Sequence, residues 1–229
     1  MAEMELLDSA RHAALRVSPA PDATRHFVQL VAEEFLSASL HYPILFTRHP
    51  ETGDLYPGAL MGLVPDENLC LGSNHMLTGY RAADLERQGF YVSGENIAID
   101  RDHPALRQPE GEPVFDADGA PTPMLQRVQA ALRRLHKGLP ETERFVAQLL
   151  AHNLVEPIDL SFRFDNGESL RLDSLYTISL DALHALPDDV IVSLFRSGDM
   201  QLIYAQTNSV RHVPFLARRR NDRLSGLAA

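Results

Sequence analysis

Tryptophan is absent from this 229-residue chain, cysteine occurs once, and the 21 lysines and arginines are outnumbered by 31 aspartates and glutamates. Each shortage excludes something. A lone Cys70 cannot close an internal disulfide, which suits a reducing compartment, and its setting in Asn68-Leu69-Cys70-Leu71 predicts a buried small hydrophobe rather than a nucleophile. A net charge of −10 lacks the concentrated positive field that phosphate binding needs, so no nucleic-acid partner is expected. Five arginines between residues 211 and 223 nevertheless make one basic end. No stretch approaches the ~18 uninterrupted apolar residues of a membrane span. The acidic start, Met1 to Asp8, has neither the basic nor the apolar region of a secretory signal, so a cytoplasmic location is expected.

Patterns that carry chemistry are missing as well. Ten histidines occur with no His-x-His or His-Glu-x-x-His spacing, and His41 with His49 is the nearest pair, so neither a metal site nor a cofactor is expected. In Asp116-Ala117-Asp118-Gly119 the glycine arrives two positions too early for a calcium loop, which leaves a plain turn. Gly72-Ser73-Asn74-His75 lacks the second glycine of a nucleophile elbow, and no glycine-rich segment precedes a Lys-Ser or Lys-Thr pair.

What is present is architectural. With 45% hydrophobic and 23% charged residues, the composition is that of an ordinary soluble globular chain. The clearest signal is a hairpin around Asp165-Asn166-Gly167. A three-residue loop with Gly167 in the left-handed position sets Phe162 opposite Leu170 and Leu160 opposite Leu172, gathering apolar side chains on one face; a two-residue loop would mix the faces.

Elsewhere, residues 27–40 carry apolar side chains at helical spacing up to His41-Tyr42-Pro43. Residues 43–46 and 58–63 read as strands, the latter small enough to be central, and 68–71 as a strand antiparallel to it. Residues 79–89 suggest a short helix or turn and 91–100 a strand, whereas 101–123 form a long loop that is the best divide between halves. Thr122 and Pro123 open a helix stopped by Gly138, and Pro140 starts another to Asn153. Ser179, Pro187 and Gly198 bound two more, 200–204 reads as a final strand, and 209–220 as a last helix. The fold class is therefore α+β: a single domain with a predominantly antiparallel sheet and β-hairpins flanked by helices. Residues 1–10 are read as a lead, 11–220 as the domain and 221–229 as a tail.

Three collinear blocks carry a family resemblance. They are Tyr42-Pro43-Ile44-Leu45-Phe46 with Gly62-Leu63 and Asn68-Leu69; Gly79-Tyr80 with Leu85, Arg87 and Phe90; and Phe115-Asp116 to Gly119 with Leu175-Tyr176-Thr177-Ile178, Leu183, Leu186, Gly198 and Tyr204. From about residue 11 to 220 the chain resembles the SapC family of proteobacterial proteins. The likeness implies no established reaction and no catalytic residues. It does imply cytoplasmic proteins encoded near outer-membrane receptors and near halogenase-like and cupin-like proteins, under a family name linked to a surface layer. The chain departs from the pattern where members have a tryptophan ahead of Gly-Tyr, since His75-Met76-Leu77-Thr78 stands there. Ala82, Glu86 and Gly89 also replace a proline, an arginine and a second proline.

Tyr80, Arg81, Arg87 and Phe90 are the candidate ligand-binding residues, because rings interleaved with guanidinium groups suit a carboxylate or a flat ring. The competing reading is that Tyr80 and Phe90 pin a short helix to the sheet. Arg211, Arg218, Arg219, Arg220 and Arg223 read as the solvated end of a helix opposing its dipole, with anion docking as the alternative. Two functions stay open. One is a non-catalytic accessory or binding protein of a bacterial uptake or surface-related system, which would take a small aromatic or carboxylate ligand or a protein partner, a second copy of the chain in a homodimer included. The other is an enzyme acting on an aromatic or peptide substrate through acids, histidines and tyrosines that meet only in the fold.

Overall fold

The computed structural model describes residues 4–18, 20–73, 76–107 and 111–226. Met1 to Glu3 of the acidic start, and Asn74 and His75 of the rejected nucleophile-elbow segment, lie outside them. Helices and antiparallel sheets make an α+β fold, and no helix among the described residues is long and apolar enough to cross a membrane.

The chain opens with strands β1 (Met4–Leu6) and β2 (Arg16–Val17) and a 3-10 turn, Ala20–Thr24, before β3 (Phe27–Gln29). The helix expected over 27–40 is therefore broken. β3 pairs with a neighbouring strand (Val28 opposite Ala59), and helix resumes only as a 3-10 turn, Ala32–Glu34, and α1 (Phe35–Ala38). Pairing with a neighbour overrides the local periodicity, because Val28, Leu30 and Val31 are all fully buried and sheet partners are waiting for them. β4 (Ile44–Arg48) and β5 (Leu55–Leu60) follow, and β5 is central as expected, flanked by β3 and β4.

The strand expected at 68–71 is a turn instead. The Asn68 side-chain oxygen accepts from the Cys70 N–H at 2.8 Å, and Leu71 bridges only Leu77. Cys70 is buried, and its thiol is pushed up to about 11 by that burial.

α2 (Ala83–Glu86) is the short helix foreseen within 79–89. β6 (Phe90–Ser93) and β7 (Asn96–Asp100) form a hairpin where one strand was expected, turning at Gly94 with φ +59°. β1 adds to its edge. The following loop contains a 3-10 turn, Pro104–Leu106, and β8 (Glu112–Pro113), which pairs with β2. The Asp116–Gly119 turn is closed by the Asp116 carboxylate, which accepts from Asp118 and Ala120.

α3 runs unbroken from Pro123 to Ala151, so Gly138 does not stop it and Pro140 does not restart it. Thr122 caps it as expected. Gly138 has a packing role: a Cβ there would lie 2.7 Å from that of Val31, so only glycine lets the two segments approach. Thr142 holds the proline turn together, donating to the Gly138 carbonyl at 2.6 Å while accepting from the Ala32 N–H at 2.8 Å. One helix thus serves three apolar clusters, through Leu125 and Val128, through Ala131 and Leu135, and through Phe145 and Leu149.

β9 (Val155–Pro157) leads to the hairpin of β10 (Leu160–Arg163) and β11 (Ser169–Leu172). Its register is the expected one, Leu160 with Leu172 and Phe162 with Leu170, and Gly167 has φ +88°. β12 (Tyr176–Ile178) completes a five-stranded antiparallel sheet in the order β3-β5-β4-β12-β9. Ser179 caps α4 (Leu180–His184), and α5 (Asp188–Ser197) ends at Gly198 with φ +84°.

Residues 200–204 belong to α6 (Asp199–Ser209) and not to a strand. A short apolar run cannot distinguish the two states; here Ile203, Gln206 and Ser209 are buried at helical spacing, and Gln206 and Ser209 bond to the backbone of Ile44. A 3-10 turn and α7 (Val213–Leu224) close the described chain.

Candidate functional site

Asp84 sits in the first turn of α2 and is 5% exposed. It binds two arginines at once: Arg25, just ahead of β3, donates to one oxygen at 2.5 Å, and Arg87, one helical turn on, donates to the other at 2.6 Å. A buried carboxylate between two guanidinium groups is compensated with one positive charge to spare. Neither guanidinium group has another side-chain hydrogen bond among the described residues; that of Arg87 also lies over the Tyr91 ring, 5.1 Å from its centroid.

Both arginines and Asp84 line a cleft of about 470 Å³ between β3 and β5 and the C-terminal half of α3. Phe27 and Tyr56 form its aromatic wall, meeting edge to face at 5.9 Å. Burial raises the Tyr56 hydroxyl above its usual range, and the Asp84 charge adds to this. His49 lies 6.4 Å from Tyr56, and its Nδ1 accepts from the N–H groups of Glu51 and Thr52, which puts the proton of the neutral ring on Nε2. Asp54 and Glu143 stand exposed at the mouth. The cleft therefore offers free guanidinium N–H groups, apolar ring faces and a ring N–H donor.

Of the four candidate residues, Arg87 alone lines this cleft. Arg81 bonds Asp22 and, at 2.6 Å, Glu86, and it also donates to the Leu85 carbonyl. Burial alone would lower its pKa, and these carboxylates more than offset that. Its donors are spent on tying residue 22 to α2. Phe90 is fully buried in the cluster with Val128 and Leu132.

Tyr80 donates to Glu34 at 2.9 Å. Glu34 is itself 1% exposed and also accepts from the N–H groups of Ala83 and Val31 at 2.9 and 3.1 Å. Burial raises both groups, the phenol further because it faces Glu34. A buried acid with a raised pKa beside a tyrosine is what the enzymatic reading looks for, yet these hydrogen bonds knit the 31–34 turn to residues 80–83. The structure thus brings Arg25, Asp84 and Arg87 together with Phe27 and Tyr56, and sends Tyr80, Arg81 and Phe90 elsewhere.

Sequence reasoning missed Arg25, Asp84, Phe27 and Tyr56. The one local signal was the three-residue spacing of Asp84 and Arg87 on a helical turn; the other partners come from distant strands.

Arg211, Arg218, Arg219 and Arg223 of the arginine-rich end are exposed, as a solvated helix end requires, and Arg220 departs from that reading. Arg220 is bonded to Glu67 and Glu168, both at 2.7 Å, and lies over the Phe164 ring at 5.3 Å, while Arg219 and Arg223 donate to the carbonyls of Leu69 and Asn68.

The SapC family model matches residues 7–216 of the chain. Comparison with curated proteins and with solved structures finds no match.

Proposed function

The chain belongs to the SapC family, and from that premise we propose that it is a non-catalytic accessory protein that binds a small carboxylate carrying an aromatic or other apolar group, within a bacterial uptake or surface-related system. One observation carries this reading. Arg25 and Arg87 are pinned by a shared buried Asp84, each through one side-chain hydrogen bond, and both line a cleft walled by Phe27 and Tyr56. Pinning lowers the entropy lost on binding, because the forks are positioned before a ligand arrives. The arginines supply charge-assisted hydrogen bonds to a carboxylate, and the rings supply apolar contact.

Calorimetric titration with phenylacetate and indole-3-acetate tests the proposal. Saturable one-to-one binding is expected, weakened at least about tenfold in Arg87→Gln, because a hydrogen bond to a charged group is worth roughly 1.5–3 kcal/mol. Absence of saturable binding to either acid, or binding indifferent to Arg87→Gln, counts against it.

A further inference from the structure

A second cleft, also about 470 Å³, opens on the same sheet, walled by Leu60, Leu63 and Val64 on one side and Leu170 and Leu172 of the hairpin on the other. Phe27 and Tyr56 line both clefts. The divide between them is therefore a pair of side chains. The Phe27 ring lies over Gly58, where a Cβ would be 2.2 Å from a ring carbon, so the missing side chain on the central strand is what gives the ring its place.

The two chambers differ in chemistry. The first presents guanidinium N–H groups, whereas the arginine lining the second, Arg171, is engaged by Asp173 at 3.1 Å and Asp159 at 3.4 Å. The first chamber joins its arginines to apolar side chains that include Leu55 and Val146, and the second continues the aliphatic wall through Leu60, Leu63, Val64, Leu170 and Leu172 beside a paired arginine.

We infer that the two clefts form one trough for an elongated amphiphile, a straight-chain carboxylate whose head meets Arg25 and Arg87 and whose tail passes the Phe27–Tyr56 pair to lie against Leu60, Leu63, Leu170 and Leu172. This rests on the binding reading above and specifies its ligand. An acid too short to pass the rings uses only the first chamber. A longer one gains aliphatic contact with each methylene.

The test is calorimetric titration of the full chain with butanoate, hexanoate, octanoate and decanoate, each below its micellar concentration, with phenylacetate as the short reference. Affinity is expected to rise roughly threefold per added methylene once the tail reaches the second chamber. Arg87→Gln should weaken decanoate and phenylacetate alike, at least tenfold, while Leu172→Asp weakens decanoate by a similar factor and leaves phenylacetate unchanged. Val64→Glu, on the opposite wall, provides the same readout should Leu172→Asp fail to fold. Phenylacetate binding with no dependence on chain length, or decanoate binding unmoved by both wall substitutions, overturns the trough and leaves the first cleft standing. Decanoate binding that ignores Arg87→Gln is detergent-like adsorption and also overturns it. If no acid of either kind binds, trough and binding reading fall together.

Discussion

Two groups of arginines in this molecule have opposite fates. Arg219, Arg220 and Arg223 on α7 fold back onto residues 67–69 and the 160–172 hairpin; Arg220, with an 11% exposed side chain, meets two carboxylates and a ring. Arg25 and Arg87 share a single carboxylate and line a cleft. Both groups are held, but Arg220 is enclosed by two carboxylates and a ring, whereas Arg25 and Arg87 share one carboxylate. A cation becomes a candidate for ligand recognition when the fold fixes its position without using up its hydrogen bonds, and a run of arginines in the sequence shows neither condition.

The contrast breaks most visibly at Arg220. Arg220→Met leaves Glu67, itself only 12% exposed at the side chain, without its ion-pair partner and removes the contact with Phe164. A loss of about 2–4 kcal/mol is expected in urea denaturation, with binding by the folded fraction unchanged. A loss below about 1 kcal/mol would show these arginines to be ornamental.

Arg144 is a further saturated arginine, bidentate to Asp199 at 2.7 and 2.9 Å. Those bonds, together with Ser197, hold the Asp199 carboxyl below its ordinary value of 3.8, so its stabilisation is present above that pH and lost as pH falls through the lower folded value. Asp199 is buried, whereas half of the Arg144 side chain faces solvent, which screens the pair. Asp199→Asn should therefore cost about 1–2 kcal/mol at neutral pH and progressively less as pH falls through the lowered folded value, flattening the acid limb of a stability profile. Glu34 has the opposite sign: its folded pKa is raised above 4.5 by burial, so its contribution is full below that value and fades as pH rises through the folded value.

Arg87→Gln sharpens the comparison from the other side. Asp84 keeps Arg25, so the melting profile should fall by less than about 1 kcal/mol while carboxylate binding drops tenfold or more. A large loss of stability would place Arg87 with the struts. The smallest effect belongs to Arg218, which is exposed and makes no side-chain hydrogen bond among the described residues; Arg218→Ala should shift stability by no more than about 0.5 kcal/mol. A larger loss would extend the strut behaviour to the whole run.

Legibility followed the range of the interactions. The 160–172 hairpin was readable because its register depends on one turn and two short alternating runs, all within thirteen residues. The helix expected over 27–40 failed because β3 is decided by β5, thirty residues away. The stop expected at Gly138 failed because that glycine answers to Val31, more than a hundred residues distant. The same holds at the site: Arg87 was legible beside a helical turn, while Arg25, Phe27 and Tyr56 reach the cleft only through strand pairing.

By itself, the sequence determined the α+β class, the main hairpin with its left-handed Gly167, the caps at Thr122 and Ser179, and a buried Cys70, because each follows from local sterics, local hydrogen bonding or hydrophobic pattern. The tertiary structure alone decided which arginines are consumed and which remain open. A guanidinium group is the same chemical object at every position, and only its neighbours in space, carboxylates or an empty cleft, set what is left of its binding capacity.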